Sequence, residues 1–277
     1  MEKTFSILTL GCKVNQYESE AMSEIFENRG YREVDNDEFS DVYIVNTCTV
    51  TNLSDRKSRQ FIRKSKKKNP DSVVAVVGCY SQVSPNEVKN IEGVDVVIGT
   101  TERNKIVDLI EEAKASHERI NIVKDLKNVR EFANTTNFDS NNRTRAYMKV
   151  QDGCNRFCTY CIIPFARGPI RSRTIEDSVR EARTLADRGF KEIVLTGIHI
   201  GSFGMDLGDM RLIDLIESIA EVDGIERIRL SSVEPIIITD EFMERAVKTG
   251  KLCDHFHLSL QSGSNNILKA MTSRDRK

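Results

Sequence analysis

Tryptophan is absent from the 277 residues, aromatic residues make up 6%, and there are five prolines. The missing tryptophan excludes nothing by itself. The missing long apolar run excludes more. No stretch approaches the roughly 20 apolar residues of a membrane-spanning helix. Lys3 and the run from Phe5 to Leu10 are too short for a signal-peptide core, and no small-residue cleavage site follows. An excess of charge of either sign is also missing: 41 Lys and Arg face 42 Asp and Glu, for a net charge of -1. Any contact with nucleic acid must therefore come from a local basic patch. The 39% hydrophobic and 30% charged residues are those of a globular protein of roughly one to two domains, expected in the cytoplasm with no membrane partner.

What is present is cysteine, seven in all. In a reducing compartment seven thiols read as metal ligands or reactive groups more readily than as disulfides, and an odd count leaves one over in any pairing. Cys154, Cys158 and Cys161 fall within one short loop in a C-x3-C-x2-C pattern. Thiolates at this spacing can turn onto one small object, and soft thiolates suit zinc or an iron–sulfur cluster. A closed zinc site wants four N/S ligands, and no fourth Cys or His stands nearby. Three ligands fit a four-iron cluster with one iron left open. Tyr160, between the second and third cysteines, is expected to pack over the loop.

The order of elements gives the other thiols meaning. Phe5–Leu10, Val42–Val45, Val73–Val77 and Val94–Ile98 read as strands. Tyr17, Ala21, Met22, Ile25 and Phe26 form a helical stripe stopped near Gly30, and further helices are expected from near Ser54 to Lys67 and over 103–115. β-Branched runs separated by helices predict a parallel sheet covered on its faces. Cys12, Cys48 and Cys79 each sit just past a strand, 36 and 31 positions apart, close to one βαβ repeat. Parallel strands end on one edge, where open α/β sheets bind ligands, so the three thiols are expected to converge. Small buried hydrophobes would be the alternative. Arg56, Lys57, Arg59, Arg63, Lys64 and Lys66 to Lys68 make a dense basic helix, either a phosphate-binding surface or a solvated face.

After a polar, Asn-rich stretch the alternation resumes. Strands are expected at Ala146–Val150, Glu192–Thr196, Ile225–Leu230 and His255–Leu260. Helices are expected after an N-cap at Thr174, over about 211–222, and over 240–249. Such units build a βα barrel with its site at the C-terminal strand ends. Gly197, Gly201 and Glu234 fall there. Arg167, Arg171 and Arg173 are candidates for a carboxylate or phosphate. His199, His255 and His257 read as structural, and Cys253 as a core thiol. No catalytic residue is singled out.

The cysteine triplet, within the string Val150-Gln151-Asp152-Gly153 to Cys161-Ile162-Ile163-Pro164 and then Arg167-Gly168-Pro169-Ile170-Arg171-Ser172-Arg173, resembles the radical S-adenosylmethionine (SAM) methylthiotransferases. Gly11-Cys12-Lys13-Val14-Asn15-Gln16, Asn46-Thr47-Cys48 and Gly78-Cys79-Tyr80-Ser81-Gln82 are similar to the N-terminal cluster-binding segments of that family. Lys13 to Glu20 and Tyr80-Ser81-Gln82 look most like its bacterial branch acting on N6-threonylcarbamoyladenosine in tRNA.

The resemblance implies two [4Fe-4S] clusters, one on Cys154, Cys158 and Cys161 and an auxiliary one on Cys12, Cys48 and Cys79. It implies SAM held near Tyr160, Gly197, Gly201 and Glu234. It further implies transfer of a methylthio group to C2 of the modified adenine, with tRNA, an electron donor such as a flavodoxin or ferredoxin, and a sulfur donor as partners. Isopentenyladenosine tRNA or a ribosomal-protein aspartate as substrate, a zinc or electron-transfer protein without SAM chemistry, and an inactive truncated product stay open.

The expected architecture is an N-terminal parallel-sheet α/β domain over 1–120, a linker over 121–143, and a partial radical-SAM βα barrel over 144–277. Only four of the family's six βα units are visible, and the family's small C-terminal RNA-binding domain is absent. The chain therefore reads as a fragment of a longer protein.

Overall fold

The computed structural model describes residues 2–48, 52–133 and 144–271, without the side chains of 52–55. The chain divides into two compact units: residues 1–126 with Phe165–Arg167, and 127–164 with 168–277. Of the linker expected at 121–143, the first two residues belong to a strand, 123–133 are described outside strands and helices, and 134–143 lie outside the described residues.

The first unit is one six-stranded sheet, parallel throughout, in the order β2-β1-β3-β4-β5-β6. The strands are β1 (Lys3–Thr9), β2 (Tyr31–Glu33), β3 (Val42–Thr47), β4 (Val73–Gly78), β5 (Val96–Ile98) and β6 (Ile120–Ile122). Every residue of β3 and β4 is buried, which is why both read as continuous apolar runs rather than alternating ones. The expected four strands are present, and β2 and β6 extend the sheet at its edges. Three-residue edge strands are too short to show a period, and Arg32, Glu33 and Asn121 lie exposed.

The helices of this unit are α1 (Lys13–Asn28), α2 (Asn52–Lys68), two short turns α3 (Cys79–Val83) and α4 (Pro85–Lys89), and α5 (Ile106–Ser116). α1 presents Val14, Tyr17, Ala21, Met22 and Phe26 to the sheet at helical spacing. Phe26 stacks on Phe5 at 4.7 Å and meets Tyr31 edge-on at 5.2 Å. Phe61 and Ile62 of α2 pack on the other face, with Tyr43, Val74 and Val76. Burying each such side chain contributes roughly 1.5–3 kcal/mol.

The second unit has β7 (Ala146–Asp152), α6 (Ile163–Arg167, whose last three residues group with the first unit), β8 (Arg171–Ser172), α7 (Ile175–Asp187), β9 (Glu192–Gly197) and α8 (Leu212–Ala220). β10 (Arg227–Leu230), β11 (Ser232–Val233), α9 (Asp240–Thr249), β12 (His257–Leu258) and α10 (Asn265–Ala270) follow. β10, β9 and β7 run parallel, and β8 adds antiparallel to β7. One residue separates β10 from β11, so the parallel β11–β12 pair carries the arc onward. The described strands form an open arc, as a partial barrel requires.

The expected strand His255–Leu260 shrinks to His257–Leu258, and both residues are exposed. Cys253 is half-buried rather than a core thiol. It sits where the chain joins β10, its N–H donating to the Ile228 carbonyl at 2.8 Å. The N-cap at Thr174 stands as read: its Oγ1 accepts from the Asp177 N–H at 3.1 Å. Among the described residues no helix is long and apolar enough to cross a membrane.

Candidate cysteine sites

In the first unit the register does the positioning. Thr9 pairs with Asn46, and Thr47 with Gly78. Cys12, Cys48 and Cys79 therefore leave three adjacent strands at one edge. A Cβ built on Gly11 would stand 2.8 Å from the Cys48 Cβ and 3.0 Å from its Sγ, so the turn bearing Cys12 runs against Cys48. Gly11 has φ +110° and takes this path without a side chain in the way. Cys12 is exposed, Cys48 half-buried and Cys79 buried.

Asn15, wholly buried, holds the turns in place. Its Nδ2 donates to the Leu10 carbonyl at 2.7 Å and the Thr47 carbonyl at 2.9 Å. Asn46 returns the bond, donating to the Asn15 carbonyl at 2.9 Å. Beneath them Arg167 is fully buried. Its guanidinium donates to Glu18 at 2.5 and 3.0 Å, to Asn15 Oδ1 at 2.7 Å and, through Nε, to Cys79 Sγ at 3.2 Å. Arg103 reaches the same Glu18 carboxylate at 2.9 Å. Burial pushes the Cys79 thiol up in pKa, and the Arg167 charge works against it.

In the second unit the loop after β7 is set by two glycines. Gly153 has φ +73°, and a Cβ there would fall 1.9 Å from the Pro169 carbonyl oxygen. The Cys154 N–H donates to the Gly168 carbonyl at 3.0 Å. A turn closes from Cys158 to Cys161, whose N–H donates to the Cys158 carbonyl at 2.9 Å. Tyr160 holds a middle position of that turn and is 55% exposed, so it does not cover the loop as expected. Burial raises the Cys154 thiol in pKa, a backbone hydrogen bond at Arg156 opposes this, and the Cys161 and Cys158 thiols add to it.

Each cysteine set offers three soft thiolates, the donor type a four-iron cluster takes, with each thiolate on a different iron. The donor set is soft, its members come from single loops or adjacent strand ends, and Cys79 already receives a charged N–H donor.

Gly197 ends β9 opposite Gln151, three residues before Cys154. A Cβ on Gly197 would meet the Gln151 carbonyl oxygen at 2.9 Å, and one on Gly201 would meet Glu234 Oε2 at 2.6 Å. A side chain at Gly197 would press on backbone, whereas one at Gly201 would displace the Glu234 and Ile237 side chains. Glu234 is buried. It precedes the 3-10 turn Pro235–Ile237 without capping it. His199 Nε2 lies 3.0 Å from Glu234 Oε1, yet Glu234 Oε2 has no hydrogen-bond partner. A buried carboxylate oxygen without a donor suits a ligand ammonium or hydroxyl. The His199 ring meets Ser202 Oγ at 2.7 Å through Nδ1, and the His199 backbone N–H donates to Gln151 Oε1 at 2.7 Å.

The arginines that read as ligand anchors are committed within the protein. Arg171 pairs with Asp152 at 3.3 Å, and Arg173 is buried against Glu181. Burying a guanidinium demands such partners, so none of the three stands open to an external carboxylate. Asn15, Glu18, Arg103 and Arg167 form one network that the sequence pattern does not single out. A signal was present: Asn15, Glu18 and Ser19 lie on the buried face of α1, where an amphipathic helix normally carries apolar groups.

Along α2, Arg56, Lys57, Arg63 and Lys67 are exposed. Lys64 and Lys68 instead reach Asp37, and Lys66 pairs with Asp95 at 2.8 Å.

Residues 148–277, which carry the cysteine loop after β7, match the model of the Radical SAM superfamily. Residues 4–99 match the family described as Uncharacterized protein family UPF0004. Over nearly its whole length the chain is similar to tRNA methylthiotransferases. It is 46% identical over 97% of its length to the threonylcarbamoyladenosine tRNA methylthiotransferase MtaB of Bacillus subtilis, covering 60% of that protein. It is 41% identical over 95% of its length to the protein of that name from Aquifex aeolicus, covering 64%. The chain thus spans about three-fifths of the length of these relatives. The fold resembles that of TsrM, a radical SAM methyltransferase from Kitasatospora setae. The TM-score is 0.62 at 13% identity, over 91% of this chain and 58% of that one.

Proposed function

We propose that this chain serves a radical SAM methylthiotransferase that adds a methylthio group to C2 of N6-threonylcarbamoyladenosine in tRNA. The observation that carries the reading is the pair of separate three-cysteine sets, each at the C-terminal strand ends of its own unit. Cys154, Cys158 and Cys161 would hold one [4Fe-4S] cluster, and Cys12, Cys48 and Cys79 an auxiliary one. Bound together, an open-iron cluster and SAM supply one-electron chemistry at an unactivated C–H bond.

The protein's share is to bind and orient. Glu234 Oε2, unpartnered beside Gly201, would accept from the ammonium or ribose of SAM, while Gly197 sets the end of β9 against Gln151. Tyr160, exposed on that loop, would stand beside the bound cofactor. Arg56 and Lys57, on the first described turns of α2 beyond Cys48, and Arg63 and Lys67 further along, offer cations to tRNA phosphates. An electron donor of the flavodoxin or ferredoxin class completes the system, in the cytoplasm.

The test is iron and acid-labile sulfide after anaerobic reconstitution. About eight irons are expected in the unaltered chain and about four in each cysteine-triple→Ala variant. About four in the unaltered chain and none in the Cys154/Cys158/Cys161 variant would leave the N-terminal thiols without a cluster. A colourless, zinc-loaded protein that does not cleave SAM would replace the enzymatic reading. Assay of full-length protein on threonylcarbamoyladenosine tRNA, isopentenyladenosine tRNA and the ribosomal-protein aspartate separates the substrates.

A further inference from the structure

Arg167 has no place in the cysteine sets, yet among the described residues it is the largest side chain wholly removed from solvent. It belongs to the three residues Phe165–Arg167 that group with the first unit. Its fork is divided by role. Nη1 and Nη2 take the Glu18 carboxylate at 2.5 and 3.0 Å, and Nη2 also reaches Asn15 Oδ1 at 2.7 Å. These partners fix the guanidinium plane and leave Nε–H for the Cys79 sulfur at 3.2 Å. Asn15 also ties the Leu10 and Thr47 carbonyls, so the same network that aims Arg167 holds the turns bearing Cys12 and Cys48. Arg103, bonded to the Thr100 carbonyl at 2.6 Å, steadies Glu18 from its other side.

A charged N–H donated to a ligand sulfur stabilises negative charge there. It favours the reduced, more negative cluster and strengthens retention of the metal. Lysine cannot reproduce this, because it carries one nitrogen and no fixed fork.

We propose that Arg167 is a positioning residue for the Cys12–Cys48–Cys79 cluster, whose donation to the Cys79 sulfur raises the cluster's reduction potential and its hold on iron. The proposal rests on the two-cluster reading above.

The test uses the 277-residue chain carrying Cys154→Ala, Cys158→Ala and Cys161→Ala, so that bound iron reports on the N-terminal set alone. Arg167→Lys, which keeps a cation on Glu18, and Glu18→Gln/Arg167→Gln, which leaves no stranded carboxylate, are reconstituted beside the Arg167 protein. Circular dichroism verifies the fold. The potential is read by dithionite titration followed by electron paramagnetic resonance, and retention by competition with bipyridyl.

Both variants are expected to shift to a more negative potential and to hold iron roughly 10- to 100-fold more weakly. Folded variants that bind no iron at all, beside an Arg167 protein that does, give the extreme of the same result. An unchanged potential and retention in either folded variant overturns the proposal and leaves the cluster reading intact, whatever the change in thermal stability. An Arg167 protein that itself binds no iron overturns the cluster reading and the proposal together.

Discussion

Replacing Gly153 by alanine isolates the geometric demand of the cysteine loop. The backbone there has φ +73°, which costs an L side chain roughly 1–2 kcal/mol. The added Cβ would also lie 1.9 Å from the Pro169 carbonyl oxygen. To reach an ordinary carbon–oxygen separation of about 3.4 Å the two segments must part by roughly 1.5 Å. That movement breaks the bond from the Cys154 N–H to the Gly168 carbonyl, 3.0 Å in length, and pulls Asp152 from its partner Arg171 in β8. A lost backbone bond adds about 1 kcal/mol, and a disturbed buried ion pair adds more. The expected total is about 3 kcal/mol or above.

Gly189→Ala is the control. Its φ is +90° with nothing within 4 Å of the new Cβ, so only the backbone strain of about 1–2 kcal/mol applies. Urea unfolding of both variants, followed by circular dichroism under reducing conditions, reads the difference. Gly153→Ala should unfold at clearly lower denaturant and lose iron at the Cys154 set, while Gly189→Ala keeps its iron. Coincident unfolding curves would refute the reasoning, because the clash would then be absorbed without cost.

Thr174→Ala removes the cap on the Asp177 N–H and should destabilise the second unit by about 1 kcal/mol, with Thr174→Ser near neutral in the same unfolding assay. Glu192 is held below the ordinary carboxylate range chiefly by the hydrogen bond from Arg229, with Arg227 adding to it and burial opposing. Its contribution is therefore present at neutral pH and lost as pH falls from about 5 downward. Glu192→Gln should lower stability at pH 7 and flatten the acid limb of the stability–pH curve, and an unaltered limb would refute this. Cys253 is half-buried with a thiol raised by burial, so Cys253→Ala should leave the iron and sulfide content unchanged.

The sequence by itself determined the alternation of elements and therefore the class of each unit. The wholly buried strands β3 and β4 announce themselves as apolar runs because both of their faces are covered. The loop of Cys154, Cys158 and Cys161 was legible because its spacing is local, and the positions of Cys12, Cys48 and Cys79 after β1, β3 and β4 were legible because parallel strands end on one edge. The three-residue strands β2 and β6 were not legible, since a period needs more residues than they have. Nor was the fate of Arg167, Arg171 and Arg173. A guanidinium looks the same in sequence whether it faces a ligand or a buried carboxylate, and Glu18 lies 149 positions from Arg167.

Only the tertiary structure decided that Glu18 and Asn15 on α1, and Cys79 after β4, share one guanidinium, and that Tyr160 turns outward. It likewise placed protein atoms where a side chain at Gly197 or Gly201 would go. Local spacing fixes which residues can meet, whereas burial and long-range packing fix which of them do.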